Sequence, residues 1–276
     1  MSAAAAGGGG EVLLVGCGKM GGALLQGWLD RGSAGRFVVV EPDSGGAVFA
    51  GRPEVALHRE AVTLDLDLRP DVVVLAVKPQ MMTDAIRHYG RFAGGPTVFL
   101  SIAAGKTLAY FARQLGEGAA IVRAMPNTPA AIGRGITVAC ANPAVAPAQI
   151  ALCERLLATV GEVAWVEDEA LIDAVTAVSG SGPAYVFLLI ECLAKAGVAA
   201  GLPEALAVRL ARATVAGAGE LARRSGEAAA ILRQNVTSPG GTTQAALEVL
   251  MAPDGLEPLL GRAVAAAARR SRELAE

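Results

Sequence analysis

The stretch VLLVGCGKMGGALLQG, residues 12–27, decides the fold of the first half of the chain. Four apolar residues run into Gly16, Gly18 and Gly21, and apolar residues at helical spacing follow. A Gly-x-Gly-x-x-Gly pattern between a strand and a helix is typical of dinucleotide binding, since these glycines permit the tight turn, the approach of a pyrophosphate and close packing of helix on strand. A simple turn is the alternative in a chain with 34 glycines.

The second predicted strand favours the dinucleotide and bears on its type. The run FVVVE, residues 37–41, ends at Glu41, 20 residues after Gly21. An acidic side chain at this place meets the adenosine ribose hydroxyls and repels a 2′-phosphate. No arginine occurs in PDSGGAVFA, residues 42–50. We therefore expect NAD(P)H binding with a preference for NADH, unless Glu41 turns to solvent.

Three further runs extend the same pattern: DVVVLAV at residues 71–77, TVFLSI at 97–102 and AIVRAM at 120–125. Nearly continuous apolar runs of this length are typical of parallel strands that are covered on both faces. Their alternation with helix-like segments predicts a Rossmann-like, doubly wound α/β domain over residues 11–165.

The pattern changes to helices after residue 165. Residues 166–276 contain no predicted strand, and the helix that opens at SGSGP, residues 179–183, continues with residues that are apolar on almost every face. We expect an all-α domain that dimerises to bury these faces. Residues 1–10 read as a disordered tail.

Composition excludes several classes of protein. The net charge of −2 offers no basic surface for nucleic acid or for anionic membranes, so we expect small-molecule partners. The scattered Cys17, Cys140, Cys153 and Cys192 suggest neither disulfides nor a metal site. The apolar stretch AYVFLLI, residues 184–190, falls short of the roughly 20 residues of a membrane span. A cytoplasmic protein is expected.

Acid–base groups are scarce. The chain has two histidines, His58 and His88, both in segments expected at the surface of the first domain. Reduction of a carbonyl usually needs such a group to supply a proton, whereas a protonated imine accepts hydride without a strong protein acid. This scarcity favours C=N reduction.

Polar clusters follow the predicted strands and helices. AVKPQ, residues 76–80, and MPNTP, residues 125–129, lie at the carboxyl ends of strands, where ligands bind in such folds. VTSPGGTT, residues 236–243, joins two predicted helices, and its backbone N–H groups could hold a carboxylate. A capped helix–helix turn is the alternative for this loop.

Taken in order, VGCGKMG, AVKPQ, RAMPNTPAAIGRG, LIDAVTAVSGSGPAY and NVTSPGGTTQAAL resemble the pyrroline-5-carboxylate reductase family over nearly the whole chain after residue 10. The resemblance implies NAD(P)H-dependent reduction of 1-pyrroline-5-carboxylate to L-proline, the last step of proline biosynthesis. It also implies a homodimer, or a ring of dimers. One departure is that SGEAAAILRQN, residues 225–235, lacks the His-Pro that often follows this Glu.

The resemblance also implies site residues. Thr243 would be the catalytic residue, bonded to the ring nitrogen of the substrate, and Lys78 would position the cofactor rather than donate a proton. The implied substrate-binding residues are Ser179, Ser181, Gly182, Ser238, Gly240, Gly241, Thr242 and Thr243. The cofactor-binding set is Gly16, Cys17, Gly18, Lys19, Met20, Gly21, Glu41, Ala76, Val77, Lys78, Pro79 and Asn127.

Other readings differ in chemistry. A β-hydroxyacid dehydrogenase would need a lysine about one helical turn after its glycine motif, and Val186 stands four residues beyond Gly182. A reductase of a related cyclic imine and a non-catalytic dinucleotide sensor are the remaining alternatives, although a sensor has no need of a carboxylate-binding loop.

Overall fold

The computed structural model describes residues 10–274, so the predicted tail lies almost entirely outside the described residues. The chain forms two compact units. The first contains the residues up to Gly180 together with the segment from Ala268 onward, and the second is Ser181–Ala267. The predicted boundary after residue 165 follows the change from strands to helices, whereas the compact units divide 15 residues later, at Gly180.

The first unit is built on one sheet. Its strands are β1 (Glu11–Val15), β2 (Arg36–Val40), β3 (Val55–His58), β4 (Val72–Leu75), β5 (Val98–Ser101), β6 (Ala120–Met125), β7 (Gly135–Ala141) and β8 (Gly161–Trp165), in the order β3-β2-β1-β4-β5-β6-β7-β8. Neighbouring strands run parallel except β6 and β7. The predicted doubly wound domain is confirmed, with an antiparallel pair added.

The five predicted strands form because their side chains are apolar on both faces. In β1, Val12 and Leu14 join one buried cluster while Leu13 and Val15 join another on the opposite face. Helix α1 (Lys19–Arg31) covers the first face. Its Trp28 is fully buried, and the Trp28 Nε1–H donates to the Leu156 carbonyl over 2.9 Å.

The other helices of the first unit are α2 (Met82–Ile86), α3 (Leu108–Leu115), α4 (Pro147–Leu157) and α5 (Leu171–Val175), followed by a π-helical turn at Thr176–Gly180. A buried ion pair holds the segment that precedes this turn. Arg123 on β6 lies 2.7 Å from Glu169, whose carboxylate also accepts the Leu108 N–H over 2.8 Å. The residues from 166 to 180 are thereby fastened to the sheet.

The sheet order creates a crevice at its carboxyl edge. Strand β1 lies between β2 and β4, and the chain connections diverge from it in opposite directions. The Gly16 N–H donates to the Val40 carbonyl and the Ala76 N–H to the Val15 carbonyl, so the ends of all three strands stay together. Such a switch point is where doubly wound sheets bind their ligands.

The second unit is helical. It contains α6 (Gly182–Ala199), α7 (Glu204–Ser225), α8 (Ala229–Asn235), α9 (Thr242–Leu250) and most of α10 (Leu256–Leu274), and no strand occurs in the described part of the chain beyond residue 165. Helix α6 exposes Val186, Phe187, Leu188 and Leu189 in the single chain. The helical run Leu171–Ala199 spans 29 residues and contains an 18-residue window with a mean hydropathy of 1.5, so it is long and apolar enough to cross a membrane by length and composition.

Candidate active site

Two of the three glycines in the β1–α1 turn are required by the protein itself. Gly16 has a φ of 91°, and a Cβ on it would lie 2.9 Å from the Ala76 carbonyl group. A Cβ on Gly21 would overlap the carbonyl oxygen of Gly16. Both positions therefore exclude a side chain because strand, turn and helix pack so closely.

Gly18 differs from its neighbours. Its φ is −69°, which any residue adopts, and a Cβ on it would meet nothing within 4 Å. It is exposed, and no side chain caps the start of α1, so no side chain occupies the N–H groups of the first turn. Protein packing gives no reason for glycine here, whereas a pyrophosphate seated against the backbone does. The cradle fits a nicotinamide dinucleotide.

Glu41 lies beside this turn, although not as a free carboxylate. Its Oε2 accepts the Cys17 N–H over 2.5 Å and its Oε1 accepts the Asp43 N–H over 2.9 Å. Glu41 thus braces the glycine turn. Burial raises the pKa of the Cys17 thiol to about 11, and the negative charge of Glu41 adds to the effect, so the thiol stays protonated.

A cleft of about 240 Å³ adjoins Glu41 on the side of β3. Ser44, His58 and Arg59 line it together with Glu41. Nothing in the sequence indicated Arg59, because an arginine was expected only in the residues directly after β2 and strand β3 was not predicted. Arginine is the side chain best suited to a 2′-phosphate, so this cleft holds groups favourable to either form of the dinucleotide.

The segment after β4 supplies the opposite wall of the crevice. Ala76 follows the strand directly, and exposed Lys78 precedes a short helical turn, Pro79–Met81. Lys78 makes no ion pair with any residue between 10 and 274. Its ammonium group can therefore serve an anionic ligand as a positioning charge.

Asn127 and Ser179 are in contact. The Ile136 N–H donates to Asn127 Oδ1 over 3.0 Å, and Asn127 Nδ2 donates to Ser179 Oγ over 3.2 Å. Ser179 lies in the π-helical turn of the first unit, whereas Ser181 and Gly182 belong to the start of α6 in the second. The polar cluster that the sequence treats as one helix start thus divides between the two units.

The loop before α9 has its own internal bonds. Gly240 has a φ of 69°, and its N–H donates to Gln244 Oε1 over 2.7 Å. The Gly241 N–H donates to the Ser238 carbonyl over 3.0 Å. Helix α9 begins at Thr242, and no side chain caps its start. The N–H groups of the first turn, including Thr242 and Thr243, thus form an open site for an anion.

The histidines lie where the sequence suggested, in surface segments of the first unit. His58 Nδ1 is 2.9 Å from Thr63 Oγ1 at the end of β3, and His88 is exposed after α2. His58 also lines the cleft beside Glu41.

Gly18 and Gly21 are glycines for different physical reasons, and substitutions can distinguish them. We expect Gly18→Ala to keep its thermal stability and to weaken NADH and NADPH binding at least tenfold, because a methyl group occupies the pyrophosphate position. Gly21→Ala should instead lose about 1–3 kcal/mol of unfolding free energy through overpacking. Fluorescence titration and urea unfolding measure both.

Gly90 provides the control, since a Cβ there also meets nothing within 4 Å and the residue lies outside the turn. Gly90→Ala should bind dinucleotide normally. Normal binding by Gly18→Ala would show that the pyrophosphate does not approach this backbone.

Family profiles match both halves of the chain. The profile described as pyrroline-5-carboxylate reductase dimerisation matches residues 169–274, and the profile described as NADP oxidoreductase, coenzyme F420-dependent, matches residues 11–105. The exposed apolar helices of the second unit therefore lie within a dimerisation domain.

Known proteins resemble the chain over nearly its full length. Pyrroline-5-carboxylate reductase of Pseudomonas aeruginosa is 40% identical over 268 residues, covering 96% of this chain and 97% of that protein. The Coxiella burnetii pyrroline-5-carboxylate reductase structure has a TM-score of 0.90 at 34% identity, covering 97% and 99% of the two chains. The NADP-bound Plasmodium falciparum pyrroline carboxylate reductase has a TM-score of 0.81 at 27% identity, covering 97% and 98%. The chain belongs to the pyrroline-5-carboxylate reductase family.

Proposed function

We propose that the chain reduces 1-pyrroline-5-carboxylate to L-proline with NAD(P)H, as the last step of proline biosynthesis. The open backbone at Gly18, beside an uncapped helix start, is the observation that carries the cofactor half of this assignment. When bound, the dihydronicotinamide supplies a hydride to C5 of the ring. The C=N electron pair then becomes the lone pair of the amine nitrogen, and the product is proline.

The substrate carboxylate is assigned to the loop before α9. Uncapped N–H groups of Thr242 and Thr243 favour a negative charge there through the helix dipole. The Gly240 N–H donates to the amide oxygen of Gln244, which lies where an oxygen of the substrate carboxylate would bind. We propose that the carboxylate displaces this amide and takes over the Gly240 N–H, with Gly241 and Ser238 shaping the loop.

Thr243 is the proposed catalytic residue because it combines a hydroxyl with a place at the start of α9. Its hydroxyl oxygen accepts a hydrogen bond from the protonated ring nitrogen, which fixes the face of the imine that receives hydride. Orientation and electrostatic fit then supply most of the rate, since the iminium carbon is already electrophilic.

We propose that the adenosine lies on the side of Glu41 and that the chain after β4 contacts the cofactor across the crevice, through Ala76, Val77, Lys78 and Pro79. We propose a preference for NADH, because the negative charge of Glu41 opposes a 2′-phosphate. Arg59 in the same cleft works against that preference, so the ratio depends on these two side chains.

The proposed assembly is a homodimer built through the helices of residues 169–274, and a ring of such dimers is the larger alternative. A second copy would cover the exposed apolar residues of α6, which forms most of the run Leu171–Ala199. The helical run is then an interface and not a membrane span. With a net charge of −2, we propose a cytoplasmic enzyme without nucleic-acid partners.

Thr243→Ala should lower kcat/KM for pyrroline-5-carboxylate about 10- to 100-fold, because the hydrogen bond it removes joins a charged group. Thr243→Ser keeps the hydroxyl and should lose far less. Steady-state oxidation of the nicotinamide, followed by absorbance, measures both variants. Thr237→Ala is the matched control, since that hydroxyl donates to the Arg233 carbonyl over 2.7 Å. An unchanged kcat/KM in Thr243→Ala would contradict the catalytic assignment.

Cofactor preference has its own pair of variants. Glu41→Gln removes the charge, but its amide nitrogen cannot accept one of the two N–H groups that Glu41 holds, so we expect both cofactors to bind more weakly. The readout is therefore the NADPH/NADH ratio of kcat/KM, which we expect to rise about tenfold, equivalent to a shift near 1.4 kcal/mol. Arg59→Ala should lower the NADPH value and leave the NADH value nearly constant. A ratio that Glu41→Gln leaves unchanged would refute the role of Glu41.

A further inference from the structure

The amide of Asn127 is held in one orientation. The Ile136 N–H, at the start of β7, can only donate, so the group 3.0 Å from it must be the Asn127 oxygen. The amide nitrogen therefore faces Ser179 Oγ at 3.2 Å, with a hydrogen pointing at the hydroxyl oxygen. A flipped amide would place two donors against each other at Ile136.

This orientation determines what the Ser179 hydroxyl can do. An Asn NH₂ group accepts no hydrogen bond, so Ser179 accepts from Asn127 and its own hydrogen points elsewhere. No acceptor for that hydrogen occurs among residues 10–274. Ser179 is half-buried. A donor without a partner at such a place is available to a ligand.

The backbone around Ser179 is fixed as well. Its π-helical turn, Thr176–Gly180, is tied to α5 by the Thr176 hydroxyl, which donates to the Ile172 carbonyl over 2.7 Å. A Cβ on Gly180 would lie 2.5 Å from the Met125 methyl group, so the turn packs directly on the end of β6. The hydroxyl is therefore presented from a rigid support, and π-helical turns of this kind are frequent at functional sites.

Ser179 lies beside the carboxyl end of β6, through its contact with Asn127. Asn127 follows β6 at the same carboxyl edge as Gly16 and Ala76. A dinucleotide that crosses the β1–β4 switch point with its adenosine toward Glu41 directs its nicotinamide toward β5 and β6. The groups with acceptor oxygens there are the nicotinamide carboxamide and the substrate carboxylate.

We propose that Asn127 is a positioning residue that holds the Ser179 hydroxyl as a hydrogen-bond donor to a carbonyl or carboxylate oxygen of the bound cofactor or substrate. The inference rests on the proposed reductase activity and adds a specific role for two side chains. Asn127 then acts through Ser179 and need not contact the cofactor itself.

Ser179→Ala and Asn127→Asp test the arrangement. Ser179→Ala deletes the donor and should lower kcat/KM about 3- to 10-fold, the worth of one hydrogen bond. In Asn127→Asp one carboxylate oxygen still accepts from Ile136, while the other accepts from Ser179 and uses up its hydrogen. This variant should lose a similar factor at pH 8, and the double variant should lose no more than either single one.

The pH dependence separates positioning from a merely structural effect. Below the pKa of the new carboxyl group, its protonated form donates to Ser179 again and restores the ligand-facing donor. Relative to the unaltered protein at each pH, Asn127→Asp should therefore recover as the pH falls, whereas Ser179→Ala should stay low throughout. A raised KM for NAD(P)H would identify the carboxamide as the acceptor, and a raised KM for pyrroline-5-carboxylate would identify the carboxylate.

Asn142→Asp is the matched control, because the Asn142 amide also bridges two groups, at the other end of β6. It accepts the Ile121 N–H over 3.0 Å and donates to the Ala119 carbonyl over 2.8 Å. It should show no pH-dependent recovery and no change in KM. Normal kcat/KM in Ser179→Ala, with the unaltered protein active, would overturn the inference even if Asn127→Asp failed to fold. Inactivity of the unaltered protein would instead refute the proposed reductase function.

Discussion

The close approach of strand, turn and helix at Gly16 and Gly21 is the constraint on which the site depends. Neither position has room for a Cβ, so β1, α1 and the end of β4 meet without side chains between them. This packing brings the first turn of α1 to the sheet edge and leaves Gly18 open above it. Glu41 adds two hydrogen bonds to the same turn. A cofactor cradle therefore arises as a consequence of packing.

Further contacts in the first unit fix the segments that follow β6 and β8. The Arg123–Glu169 ion pair joins the segment after β8 to β6, and Glu169 also accepts the Leu108 N–H at the start of α3. The Asn127–Ser179 hydrogen bond joins the same segment to the residues that follow β6. The π-helical turn is held in the same way, which gives Ser179 a defined position before any ligand binds. Preorganisation of this kind suits a reaction in which the electrophile needs orientation more than acid catalysis.

Sequence alone predicted the features that depend on local pattern. The continuous apolar runs of β1, β2, β4, β5 and β6 and the glycine turn were recognisable because their periodicity and spacing are local properties. Strand β3 was missed because the VALH segment is half-exposed, and β8 because it is a short edge strand whose residues alternate between half-buried and exposed, so it lacks a continuous apolar run. Strand β7 was not predicted either, and it pairs antiparallel with β6 after a short connection, as two consecutive strands can without a crossover helix.

The site shows the same division between local and tertiary information. The Cys17–Glu41 bond, the placement of Arg59 beside Glu41 and the Asn127–Ser179 bond join residues 18 to 52 positions apart, so no short sequence window contains them. The occupation of the Gly240 N–H by Gln244 is local, but it depends on a side-chain conformation that a motif does not specify.

The most direct test of the account is the oxidation of NADH and of NADPH by the purified chain, measured by absorbance with and without pyrroline-5-carboxylate. Substrate-dependent oxidation with at least one cofactor, and formation of proline in equal amount, is the predicted result. Dinucleotide binding without oxidation of either cofactor would contradict the account and would favour a non-catalytic sensor or a different imine substrate.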